Sequence, residues 1–147
     1  MSTNQQSHPS TSGTHAPTIS SRPLRAWRAC LVVLLCAVSW LAFSPHPPPQ
    51  ADTGWDKLNH LLAFSVLTVC ACRAFAGTGR HFVRVTSAML AYGVFIELVQ
   101  TQIPGRSGEW PDLLADSLGI GAGLLFAALL DRLLRNQRRI IPRWLTF

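Results

Sequence analysis

Asp56 and His60 stand four residues apart, as do Asp112 and Asp116, and Glu97 precedes Gln100 by three. On helices these spacings put each pair on one face. The stretch from Ile96 to Gly123 holds Glu97, Glu109, Asp112 and Asp116, four of the chain's seven acids. A histidine near a carboxylate is a general base with an orienting partner, and His60 with Glu97, Asp112 and Asp116 is also a donor set for a divalent metal. The spacing matches no familiar hydrolase or metal motif, so whether the protein is an enzyme stays open and no cofactor is evident. Lys57 and Arg106 point to a different chemistry, the holding of an anionic group, with Gln100 and Trp110 beside them. Arginine suits a phosphate because its fork donates in pairs.

Those residues must be positioned by apolar elements. Of the 147 residues, 48% are hydrophobic and only 14% charged, against roughly 25% charged in an ordinary soluble domain. The basic residues flank apolar runs, which is the pattern of membrane topology and not of a nucleic-acid-binding surface, so no nucleic-acid partner is expected. Cys30, Cys36, Cys70 and Cys72 all lie in apolar runs and read as small hydrophobes, with no disulfide framework.

The expected fold is an all-α four-helix transmembrane bundle. Residues 1–21 lack any charged side chain and are rich in Ser and Thr, which predicts a disordered tail. Residues 22–135 form the membrane domain, with helices at about 26–43, 57–76, 83–100 and 111–134, and 136–147 is a basic C-terminal segment. Arg22, Arg25 and Arg28 before the first apolar run also fit the plan of a cleaved leader, but Ser-Pro-His-Pro-Pro-Pro follows it in place of a small-residue cleavage motif. With the N-terminus in the cytoplasm, four spans put Arg22, Arg25, Arg28, Arg73, Arg80, Arg84, Arg132, Arg135, Arg138, Arg139 and Arg143 inside. Only Lys57 and Arg106 of the thirteen basic residues remain outside. That bias predicts a multi-pass protein of the cytoplasmic membrane with both termini cytoplasmic.

The same topology gathers Asp56, Lys57, His60, Glu97, Gln100, Arg106, Asp112 and Asp116 at the outer face. His60, Glu97 and Asp116 lie about one turn deeper, where ionisable groups are costly and face the bundle interior. Ala115, Gly119, Gly123 and Ala127 recur every four residues. Such a stripe lets two helix backbones approach closely, and it would turn Asp112 and Asp116 toward a neighbouring helix.

In their order along the chain, Asp56-Lys57-x-x-His60 with Phe64 following, Glu97-x-x-Gln100, Pro104-Gly105-Arg106 and Asp112-x-x-x-Asp116-x-x-Gly119-x-x-x-Gly123 resemble the VanZ-like family of small membrane proteins. The resemblance covers roughly residues 50–130. It implies a helical membrane bundle in which these polar positions share one site, and this chain departs from it in carrying Asp116 where the family commonly has Asn. The family takes its name from a teicoplanin-resistance determinant, which implies a context of envelope or glycopeptide tolerance without assigning an activity.

Three readings of function follow. The first is an outward-facing site that binds an anionic lipid headgroup or a lipid-linked cell-envelope precursor. The second is a membrane-embedded enzyme using His60 and the carboxylates, with or without a divalent metal, on a lipid-linked substrate. The third is a structural or assembly role with a homo-oligomer or membrane-protein partner, in which Arg106 pairs with a carboxylate, Asp112 caps the fourth helix and Gln100 satisfies loop backbone.

Overall fold

The computed structural model describes residues 22–45, 55–75, 80–106 and 108–140. Four helices run α1 Arg22–Phe43, α2 Asp56–Ala74, α3 His81–Gln100 and α4 Trp110–Ile140, and the described residues include no strand. The expected tail 1–21, the proline-rich link at 46–54, the glycine break at 77–79 and the last seven residues lie outside the described residues.

Two helices outrun their expected bounds. The first begins at Arg22 because Pro23 sits in the first turn, where a missing N–H costs nothing. The last continues to Ile140, since Arg and Gln are good helix formers and no Gly or Pro interrupts the run.

The four expected helices are all present, and α2 differs from the other three in composition. Among the described residues three helical segments are long and apolar enough to cross a membrane, Pro23–Phe43, His81–Gln100 and Trp110–Asn136. The second helix is not among them, because Asp56, Lys57, Asn59, His60 and Arg73 lower its hydropathy. It is instead the inner helix of the bundle, packed against α1, α3 and α4. His60, Phe64, Leu67, Thr68, Cys70, Ala71, Cys72 and Ala74 are buried along it. Protein surrounds His60 and Thr68, while Asp56 at the helix start stays exposed. The outer helices meanwhile expose Val32, Val33, Val83, Leu98, Leu118, Leu125 and Phe126, an apolar surface suited to acyl chains.

The contact between α2 and α4 is the most extensive in the bundle. Along α4, Ala115, Gly119, Gly123 and Ala127 are all buried. A Cβ on Gly119 would sit 2.5 Å from the Leu61 carbonyl oxygen, and one on Gly123 would sit 2.6 Å from that of Ser65. The Ser65 hydroxyl crosses the same seam, donating to the Leu61 and Gly119 carbonyls at 2.7 and 3.1 Å.

Polar ties close the rest. Tyr92 donates to the Leu35 carbonyl at 3.2 Å and lies 2.8 Å from the Ser39 hydroxyl, joining α3 to α1. At the end where α2 finishes, Arg28 donates to the Ala74 carbonyl at 3.2 Å and Arg73 pairs with Asp131 at 2.6 Å. The opposite end, where α1 and α3 finish and α2 and α4 begin, carries the candidate site.

Candidate functional site

Three helices each bring one ionisable group to a common point, His60 and Asp116 buried and Glu97 partly so. His60 stands one turn into α2, Glu97 one turn before the end of α3, and Asp116 in the second turn of α4. The α2–α4 seam fixes the first and last of these, because Gly119 holds α4 against the backbone of Leu61, one residue beyond His60. His60 Nδ1 donates to Asp116 Oδ1 at 2.9 Å and lies 3.8 Å from Glu97 Oε1. Asp116 is fully buried and His60 nearly so, at 0% and 8% exposure. That bond fixes the ring, so the imidazole can exchange a proton through its other nitrogen while Asp116 orients it.

A second tier lies above this core. Glu97 Oε2 accepts the backbone N–H of Glu109 at 2.8 Å, which fixes both the carboxylate and the start of α4. Lys57 Nζ is 3.3 Å from Glu109 Oε2 and 3.4 Å from Asp112 Oδ1. Asp56, His60 and Asp112 also approach one another within 4.8 Å. Despite these contacts Asp116 Oδ2, Glu97 Oε1 and Asp112 Oδ1 are buried without a hydrogen bond.

Of the eight residues expected to share a site, six therefore converge: Asp56, Lys57, His60, Glu97, Asp112 and Asp116. Gln100 and Arg106 do something else. Gln100 Nε2 donates to the Ala42 carbonyl at 3.2 Å. Arg106 donates from Nε to the Ser44 carbonyl at 3.2 Å and from Nη2 to that of Leu41 at 3.1 Å. Both residues cap the C-terminal end of α1, where helix carbonyls lack partners and the dipole favours a cation. Gly105, at φ +82°, makes the turn that lets Arg106 reach back. Arg106→Ala should therefore lower the melting temperature in detergent, with a loss of about 1.5–3 kcal/mol for the charged hydrogen bonds. Arg106→Lys should recover only part of it, since an ammonium does not reproduce the fork.

Two contributors have weak sequence signals. Gly93 precedes Glu97 by one helical turn, and a Cβ there would stand 2.5 Å from Asp116 Oδ2. A glycine on the same face as an intramembrane acid was the available clue. Glu109 anchors Lys57 and, through its backbone, Glu97. A groove of about 160 Å³ opens beside this tier, lined by Val94, Glu97, Leu98, Thr101, Glu109 and Trp110, among others.

Fold and site together define a small all-helical integral membrane protein with a buried polar cluster at one end of its bundle. The chain belongs to the VanZ/LLP1 family, whose family model matches residues 2–131. No curated protein and no solved structure matches it.

Proposed function

We propose that the protein binds the headgroup of a phospholipid or lipid-linked envelope precursor at the outer membrane face, in the groove between the end of α3 and the start of α4. The observation that carries this reading is the groove's composition, with Val94, Leu98, Leu113 and Trp110 for walls and Glu97 and Glu109 at the polar end. Its volume of about 160 Å³ is below the roughly 300 Å³ of a small-molecule pocket, so it takes a headgroup fragment and leaves the chains in lipid.

The partners of the two cations alter the expected chemistry. Lys57 already contacts Glu109 and Asp112, and Arg106 caps α1, so neither is poised for a phosphate. The acids favour a headgroup that offers an ammonium or hydroxyl donor beside its phosphate.

Four crossings, with α2 as the shielded inner span, and both termini in the cytoplasm complete the proposal. At about 1.5 Å per residue the 19 residues of α2 reach across the hydrocarbon core. Exposed Trp40, Trp55 and Trp110 cluster at the site end, as aromatic residues do at a membrane interface. Arginine dominates the other end. Both features support a site at the outer face and, with it, a role in the cell envelope.

The test is native mass spectrometry of protein reconstituted in mixed phosphatidylethanolamine, phosphatidylglycerol and phosphatidylcholine. Phosphatidylethanolamine should be retained preferentially, and Glu97→Gln should reduce retention about tenfold, the ratio that about 1.4 kcal/mol carries. Equal retention of all three lipids by the wild type would refute the reading. A second reading, acid–base catalysis on a lipid-linked substrate, is favoured by the 2.9 Å His60–Asp116 contact. Headgroup release by the wild type and none by His60→Ala would select it.

A further inference from the structure

We infer that His60, Glu97 and Asp116 form a binding site for one divalent transition-metal ion of the zinc or manganese class, buried among α2, α3 and α4. The inference concerns the ion alone and does not depend on the headgroup reading. One ligand atom from each residue lies within 4.8 Å of the other two. The His60 Nδ1 separations of 2.9 Å to Asp116 Oδ1 and 3.8 Å to Glu97 Oε1 bracket what an ion requires. Ligands about 2.0–2.2 Å from zinc stand roughly 3.3–3.6 Å apart around a tetrahedral centre. The two carboxylate oxygens lie within 4.8 Å of each other, so side-chain movements would complete the set.

A second observation separates this cluster from an ordinary group of acids. Asp116 is fully buried, and its Oδ2 has no hydrogen-bond partner. Glu97 Oε1, the oxygen nearer His60, is buried and unpartnered as well. Buried carboxylate oxygens without donors are strongly unfavourable, and an ion held by His60, Glu97 Oε1 and the Asp116 carboxylate would offset the charge of both acids. Lys57 does not do so: its contacts are with Glu109 and Asp112.

The donors also select the ion. An imidazole nitrogen with carboxylate oxygens and no thiolate suits zinc or manganese better than copper(I), and the imidazole argues against magnesium or calcium. Asp112, in contact range of His60 with Asp56, stands ready as a further oxygen donor. The glycine at position 93 leaves the space that Asp116 Oδ2 occupies.

The experiment uses the full chain in detergent, stripped with EDTA and titrated with Zn²⁺ and separately with Mn²⁺. Bound metal is counted by mass spectrometry of the dialysed protein. The wild type should take up one equivalent of one of these ions and gain melting temperature with it. His60→Ala, Glu97→Gln and Asp116→Asn should each weaken uptake by more than about tenfold, the least that loss of a residue supporting a metal ligand costs. His81→Ala, at the far end of α3, should leave uptake unchanged. Size-exclusion elution and helical circular dichroism of each variant separate lost binding from lost fold. No uptake by the wild type would overturn the inference and leave a shared proton as the occupant. Undiminished uptake by folded His60→Ala and Asp116→Asn would overturn it too, by placing the ion elsewhere. Phosphatidylethanolamine retention by the stripped protein reads the headgroup proposal separately.

Discussion

Gly119→Leu should lower the melting temperature of the bundle by roughly 10 °C, corresponding to a loss of about 3 kcal/mol or more. The figure rests on what the new side chain would strike. Its first carbon would lie 2.5 Å from the Leu61 carbonyl oxygen and 3.1 Å from Phe64 Cβ. A backbone carbonyl inside a helix cannot turn aside, so α4 would have to move away from α2 along the seam. Phe64 and Leu67 are almost wholly buried on that seam, and the Ser65 bond to the Gly119 carbonyl crosses it. Separation would loosen all of these and draw Asp116 away from His60. Gly123→Leu, facing the Ser65 carbonyl at 2.6 Å, should behave alike. Gly121→Leu provides the control, because that position is exposed and a Cβ there would meet nothing within 4 Å. Thermal melts by circular dichroism decide the matter: equal losses at positions 119 and 121 would show that lost flexibility, and not the seam, sets the effect.

That seam was legible in the sequence because small residues repeating every four positions encode it within one helix. The membrane class and the four helices were legible for the same reason, since apolar runs and their basic flanks are local signals. The convergence of His60, Glu97 and Asp116 could be read because up-and-down connectivity puts them at one end and one depth. What escaped depends on a partner that carries no side-chain signature. Gln100 and Arg106 bond to the carbonyls of Leu41, Ala42 and Ser44, which any residues would present there. Nothing in the residue types marks a distant helix end as their target. The place of α2 escaped for a related reason. Its Lys57 and Arg73 look like the snorkelling ends of a lipid-facing span, whereas its shielding by three neighbours is a property of the assembled bundle. The groove at Val94, Leu98 and Trp110 likewise exists only once α3 and α4 meet.

Asp116→Asn should make the metal-free protein more stable, while Asp116→Leu should leave it about as stable as the wild type. Asparagine keeps the shape and an oxygen to accept the His60 N–H, now 2.9 Å from Asp116 Oδ1. It replaces the unpartnered, buried carboxylate oxygen Oδ2 by a neutral amide N–H₂. Removing an unsatisfied buried charge of this kind is worth about 1–3 kcal/mol. Leucine removes the same charge but leaves the His60 N–H without an acceptor, a penalty of similar size in the opposite sense, about 1–3 kcal/mol. The contrast separates a carboxylate kept for function from one kept for stability, because residues that hold a ligand commonly cost the empty protein stability. Melting curves in EDTA for wild type, Asp116→Asn and Asp116→Leu give the ranking, and the same curves with Zn²⁺ give the increment due to the ion. Asparagine should rank first in EDTA and gain nothing from Zn²⁺; the wild type should gain enough to overtake it. Were asparagine less stable than aspartate in EDTA, the His60–Asp116 contact would itself be a net stabilising ion pair. Asp116 would then be explained by the fold alone.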